Sequence, residues 1–166
     1  NARVTDHFST VLAYAYTDAT FNRLVTSVGG LPPALIVNGR ADFTGRRLPL
    51  IPENSLMLSG RYEREVTSGT DGFIELSGRY RSKRFARFSN LQALDAKTVV
   101  DLQLGLRADK WSATLFANNL FDDLTPDFVR YAVNINPLNP NTDYVSAPPK
   151  RRSRRHLNCN QSTPLR

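Results

Sequence analysis

The feature that most constrains this chain is a strict two-residue alternation that recurs in separate short runs. Across 98–107 one parity reads Thr98, Val100, Leu102, Leu104 and Leu106, and the other reads Val99, Asp101, Gln103, Gly105 and Arg107. A helix would scatter both sets around its circumference, whereas a strand delivers each set to its own face. The pattern returns over Phe8–Tyr16, 54–63 and 73–81, and from Trp111 to the Asn-Asn pair at 118–119. The spacing predicts an all-β chain, an antiparallel up-and-down meander of about five strands.

The connections add a second constraint. They run long (17–53), short (the polar break 67–72), long (82–97), short (108–110) and long (124–145). Gly29-Gly30 and Pro32-Pro33 punctuate the first too heavily for a helix, and loops of such length are uncommon in compact domains unless functional. Outer-membrane barrels join strands by short turns on the periplasmic side and long loops on the extracellular side. On that reading the strands at Phe8, Phe73 and Trp111 run outward, and those at Asn54 and Thr98 run inward. Phe8, Tyr62 and Trp111 then fall at the periplasmic ends of the apolar faces and Tyr16 and Tyr80 at the extracellular ends, as two interfacial girdles require.

Arg61, Glu75, Arg79, Asp101 and Arg107 all lie on the parity opposite the leucines. An Arg on a lipid face at the midplane costs roughly 2–4 kcal/mol, but on a lumen face it is hydrated or paired. The expected architecture is therefore an open fragment of a transmembrane β-barrel. A soluble β-sandwich binding module predicts the same alternation, and a small porin-like barrel predicts the same faces; aromatic placement and unequal loops favour the outer-membrane reading over the sandwich.

Composition excludes other classes. No run approaches the ~18 apolar residues of a spanning helix, and nothing at the start resembles a secretory signal. The opening Asn1-Ala2-Arg3-Val4 lacks an initiator Met and runs almost at once into a strand pattern, as expected for a piece of a longer chain. Lys150, Arg151, Arg152, Arg154, Arg155 and Arg166 supply six of the net +7, leaving +1 for residues 1–149. The body therefore has no global field for nucleic acid. The single cysteine, Cys159, permits no internal disulfide or thiolate cluster.

Two motifs carry a resemblance. Asn119, Leu120, Phe121 and Asp122 end an aromatic-led strand, and Phe43, Gly45, Arg46, Leu48, Pro49 and Pro52 precede the next strand as a GxxLPxxP-type re-entry. Together they resemble the C-terminal part of the barrel of TonB-dependent outer-membrane receptors, over about 8–150. The resemblance implies a barrel of about 22 strands occluded by an N-terminal plug. It implies import of a scarce nutrient, such as a ferric siderophore, across the outer membrane of a Gram-negative bacterium with energy from the TonB complex. The implied partners are outer-membrane lipid, the plug and remaining strands of the same receptor, which this sequence lacks, and the TonB complex acting through that plug. Residues 1–149 would supply barrel strands and extracellular loops.

Residues 150–166 read differently. Ser146-Ala147-Pro148-Pro149-Lys150-Arg151 resembles the family's Pro-Pro-Arg entry into a last strand, but 152–156 shows no alternation and no aromatic follows Tyr144. The segment reads as a divergent basic tail, expected to be irregular. Three explanations stand: a nucleic-acid arm, a periplasmic extension, and translation in a shifted frame after Pro149. No aromatic is interleaved to stack bases, which disfavours the first, and the abrupt loss of family-like sequence favours the third. Without a closing strand, the strand from Trp111 is expected to be the last intact one.

Enzyme constellations are missing: His7 and His156 are far apart, no HExxH, CxxC or GxSxG spacing occurs, and Gly29-Gly30 lacks the Lys-Ser/Thr of a phosphate loop. No cofactor or metal is implied. Asp122 and Asp123 are adjacent and suit turn chemistry better than paired acid–base work. The functional constellation is the loop set, with Arg46 and Arg47, then Arg84, Phe85, Arg87 and Phe88, then Arg130 and Tyr131 as expected contacts for an anionic or aromatic ligand. Arg40, Lys83 and Phe128 flank them. Solvation, or contact with lipopolysaccharide phosphates, is the plainer use of the same residues.

Overall fold

A computed structural model describes residues 2–26, 36, 38–133, 141–145 and 152–159, with side chains described no further than residue 128. In chain order the strands are β1 (Ala2–Arg3), β2 (Phe8–Tyr16), β3 (Val25–Thr26), β4 (Ala41–Asp42), β5 (Asn54–Thr67), β6 (Thr70–Arg81) and β7 (Arg84–Phe85). They continue as β8 (Ala93–Leu94), β9 (Lys97–Ala108), β10 (Trp111–Asn118), β11 (Val129–Val133), β12 (Asn141–Val145) and β13 (Arg152–Cys159). Seven of them form one antiparallel sheet in the order β1-β2-β5-β6-β9-β10-β13, and the other six form three small two-stranded sheets within the long connections. The large sheet does not close on itself. It is an up-and-down meander, and its five long central strands are those the alternation marks out.

Register explains why the alternation is so regular. Leu12 faces Leu58, Leu58 faces Gly78 and Gly78 faces Val100; one row over, Leu76 faces Gly60 and Leu102. Directly opposed residues share a face, so the leucines of four strands merge into one apolar surface. That surface is bare: Leu12 is 63% exposed, Leu58 51% and Leu76 50%. Among the described residues the buried hydrophobics are Ala41, Phe43 and Leu94, all in the long connections and none in the large sheet. A sandwich would cover the leucine rows with a second sheet.

Rings bracket this surface. Tyr14 and Tyr80 lie in one row with Leu56 between them, and the Tyr14 hydroxyl donates to Asn54 Oδ1 at 2.7 Å. Phe8 faces Tyr62 at the other end, one strand pair away from Ile74 and Leu104. An apolar body with a hydroxyl reaching the strand end is the arrangement of an interfacial aromatic.

The opposite face is ionic. Arg61 bridges Glu63 at 3.0 Å and Glu75 at 3.1 Å, Arg107 pairs with Glu63, and Arg79 pairs with Asp101 at 2.5 Å. The Arg61 guanidinium also lies 3.8 Å from the centre of the Phe73 ring. That ring lies over Gly105, where an added Cβ would come within 2.2 Å of it. Gly105→Val will therefore push Phe73 out from under Arg61 and cost about 1–3 kcal/mol by overpacking. Urea midpoints of the detergent-refolded protein check this, and Phe73→Ala in the same chain should recover most of the loss.

Two expectations need correction. The polar break at 67–72 is narrower than its composition suggests: β5 runs to Thr67 and β6 starts at Thr70, leaving Ser68-Gly69 as the turn. Gly69 takes the left-handed conformation at φ 73° and a register shift falls between Glu65 and Thr67, so a bulge and a glycine make the reversal. The larger correction concerns the tail. Residues 152–159, expected to be irregular, form β13 and pair with β10 from Trp111↔Cys159 to Asn118↔Arg152. The strand at Trp111 therefore has a neighbour and is not the last. Ladder bonds are made by the backbone, so a segment without apolar alternation can still satisfy an exposed edge.

Candidate functional site

All three long connections leave the sheet at the same end, and two of them interlock there. Phe43 is fully buried and meets Phe88 edge to face, with ring centres 4.8 Å apart at 74°. Around this pair, Arg46 Nη1 donates to the Ser89 carbonyl at 2.7 Å, and Leu50 N–H donates to the Phe85 carbonyl at 2.8 Å. Asn90 clamps Arg47: its Oδ1 accepts from the Arg47 N–H at 2.7 Å while its Nδ2 donates to the Arg47 carbonyl at 2.9 Å. The Arg47 guanidinium turns the other way, to Glu53 at 3.0 Å and Asp18 at 3.9 Å. Segment 43–50 and segment 85–90 thus form one body.

A second cluster gathers where β6 ends and β9 begins. Arg81 and Lys97 face each other across the ladder, and both reach Asp127, at 2.5 Å and 3.0 Å. Arg84, buried, donates from Nη2 to the carbonyls of Pro126 and Asp127, each at 3.1 Å, and stands 3.7 Å from the Asp127 carboxylate. Burial, and then the neighbouring Arg81, push the Arg84 guanidinium below its usual range. Burial alone would raise the Asp127 carboxyl, but hydrogen-bonded Lys97 and adjacent Arg81 hold it below the ordinary aspartate range.

The Asn-Leu-Phe-Asp stretch is the turn that carries the chain from β10 into this cluster. Asn119 and Asp122 adopt left-handed φ of 53° and 55°, and the Asp122 N–H donates to the Asn119 carbonyl at 2.9 Å. Asn119 is buried; its N–H donates to Asp101 Oδ1 at 2.8 Å, and its side-chain amide exchanges bonds with the Asp123 backbone. Leu120 N–H donates to the Val100 carbonyl at 2.7 Å, whereas Phe121 is 74% exposed. Asp123 then accepts from the N–H groups of Thr98 and Thr125, both at 2.8 Å.

Burial works to raise the Asp123 carboxyl, but its bonds from Thr125 and Thr98 and the nearby Lys97 outweigh that and lower it. A carboxyl lowered in the folded state contributes stability that is complete above its unfolded pKa and is lost as pH falls through the folded value. The turn should therefore hold at neutral pH and loosen below about pH 4. Amide proton shifts of Thr98 and Thr125 in micelles should report that transition, and Asp123→Asn should abolish their pH response.

Of the expected ligand contacts, the structure brings Arg46, Arg47, Phe85 and Phe88 together in the interlocked loops, and sends Arg84 to Asp127. Arg87 is exposed on the same segment, where its carbonyl accepts from Asn90 N–H at 3.0 Å. Arg130 and Tyr131 face Tyr144 and Asp143 in the β11–β12 ladder; their side chains lie outside the described residues. Sequence reasoning missed Arg81, Lys97 and Asp127 as one cluster, because their convergence depends on register and on a loop without periodicity. Among the described residues no group of three His, Cys, Asp or Glu could hold a metal, and no helix is long and apolar enough to cross a membrane.

A search among curated proteins finds no match to this chain. The family model described as TonB dependent receptor-like, beta-barrel matches residues 2–120, from β1 through the start of the Asn-Leu-Phe-Asp turn. Proteins of that family are transporters of the Gram-negative outer membrane, not enzymes. With one open up-and-down sheet, an apolar face, an ionic face and long loops gathered at one end, the chain belongs to the TonB-dependent receptor β-barrel family.

Proposed function

We propose that this chain is the C-terminal part of the barrel of a receptor that imports a scarce nutrient, such as a ferric siderophore, across the outer membrane of a Gram-negative bacterium. The energy comes from the TonB complex, acting through the plug of the same receptor. The observation that carries this reading is the bare leucine surface, of the kind lipid covers, on a sheet whose other face is paired charge. The open sheet edges need further strands of the receptor, because unpaired backbone is costly in hydrocarbon. Residues 1–149 supply lumen wall and extracellular loops. Residues 150–166 are read as the product of a shifted frame; a closing strand ending in an aromatic, found in another frame of the coding DNA, is the expected result.

At the rim, Arg46, Arg47, Arg84, Phe85, Arg87, Phe88, Arg130 and Tyr131 serve ligand capture in two ways. The interlocked residues Arg46, Arg47, Phe85 and Phe88 hold the loops in a fixed shape, and Arg87 is exposed on the same segment. The test is fractionation and uptake. The chain in its receptor should sediment with outer membranes and show heat-modifiable gel mobility, and nutrient-limited growth should depend on it and on TonB. Recovery as a folded, detergent-free monomer would sink the reading.

A further inference from the structure

Three cations converge on one carboxylate at the long-loop end of the ionic face. Asp127 lies 2.5 Å from Arg81, 3.0 Å from Lys97 and 3.7 Å from Arg84, and the last two side chains are 2% and 1% exposed. Buried cations need full pairing, and one carboxylate does not neutralise three. Arg84 Nη1 is buried with no hydrogen-bond partner. The neighbouring acids add little: Asp123 lies near Lys97 but its carboxylate accepts from two backbone N–H groups, and Asp101 is held by Arg79 and the Asn119 N–H. Donors are therefore in excess. A cavity of about 610 Å³ opens beside Arg81 and Lys97, lined in part by these two, Arg79 and Asp127, with Arg84 behind Asp127.

We propose that Arg81, Arg84 and Lys97 form an oxyanion site on the ionic face, and that the Asp127 carboxylate fills it as an internal ligand until a carboxylate or phosphate from outside displaces it. An external oxyanion with several oxygens can take the Arg81 fork and the Lys97 ammonium together and still offer an oxygen to Arg84. Asp127 is suited to leave because it sits in the irregular stretch between β10 and β11 rather than in a ladder. Arg84 still holds the Pro126 and Asp127 carbonyls, so the side chain swings out while the backbone stays tethered. Displacement would release the Asp127 side chain two residues before β11, coupling anion arrival to the start of that strand. The proposal rests on the transport reading for access of the anion from outside the cell.

The experiment titrates inorganic phosphate into the full chain, folded in detergent in phosphate-free buffer, by calorimetry. Asp127→Asn removes the internal competitor and should tighten phosphate at least tenfold. Arg81→Gln, at a half-exposed position, should weaken it at least tenfold. Unchanged affinity in either variant overturns the site. If Asp127→Asn does not fold, the thermal midpoint decides: phosphate should raise it in the native chain and not in Arg81→Gln, and an equal response in both overturns the proposal. Phosphatidylglycerol vesicles without free phosphate form a parallel arm; a midpoint shift there equal to that with phosphate assigns the oxyanion to lipid headgroups, and a smaller one to a soluble anion. Outer-membrane sedimentation is scored separately, on cells that express the same chain in its receptor. Phosphate-insensitive protein in the membrane fraction defeats this site alone, and phosphate-binding protein in the soluble fraction defeats the transport reading alone.

Discussion

Phe43→Ala will cost the long-loop rim about 3–5 kcal/mol, the range for deleting a fully buried ring. Phe43 has no exposed surface, and its edge-to-face partner Phe88 comes from a different connection, so the deletion removes the apolar contact between two loops. The polar bonds around it, Arg46 to Ser89 and Arg47 to Asn90, span 43 residues each and are cooperative with the ring pair. Without the rings they compete with water and contribute little. Local opening should become more frequent by a factor of roughly 10² to several times 10³, since each 1.4 kcal/mol is a factor of ten. Limited proteolysis should therefore cut faster after Arg46, Arg47 and Arg87. Among the described residues the sheet shares no buried hydrophobic with this rim, so heat-modifiable mobility should be unchanged. Cleavage rates equal to those of the native chain would mean the loops are held by something other than this contact.

How legible such features are in the sequence depends on whether they obey a period. The five long strands were readable because Leu102, Leu104 and Leu106 repeat every second residue, and the lumen charges because they take the other parity. The partners of those charges were not readable. Arg79 and Asp101 are 22 residues apart and Arg81 and Asp127 are 46 apart, distances set by register and loop path. The rim arginines were found by composition, but composition cannot tell a cation that awaits a ligand from Arg47, already on Glu53, or Arg84, already against Asp127. The tail misled for a related reason: 152–159 has no side-chain period, and its pairing with β10 is a property of backbone groups that every sequence carries. The Asn119 turn was legible because Asn and Asp tolerate left-handed φ, which both residues adopt.

Leu58→Arg will separate a lipid-facing surface from a wetted one. Leu58 sits in β5 within the apolar band between the Tyr14–Tyr80 row and the Phe8–Tyr62 row, between Leu12 and Gly78, and its neighbour Ser59 points to the ionic side, in the row of Ser77 and Asp101. At the bilayer midplane a guanidinium on the outer face costs roughly 2–4 kcal/mol. If the same face met water, a half-exposed Leu→Arg change would stay within about 0.5 kcal/mol. Ser59→Arg adds the same charge one residue away, where the lumen hydrates it opposite Ser77, and should be close to neutral in either case. The comparison largely cancels strand-propensity and unfolded-state effects, because both variants introduce the same side chain in the same strand. Urea unfolding from lipid vesicles should therefore show Leu58→Arg at least 2 kcal/mol less stable than Ser59→Arg, as the midplane cost requires. Equal stability would mean that the leucine rows do not meet hydrocarbon, and the assignment of inner and outer faces would fall with it.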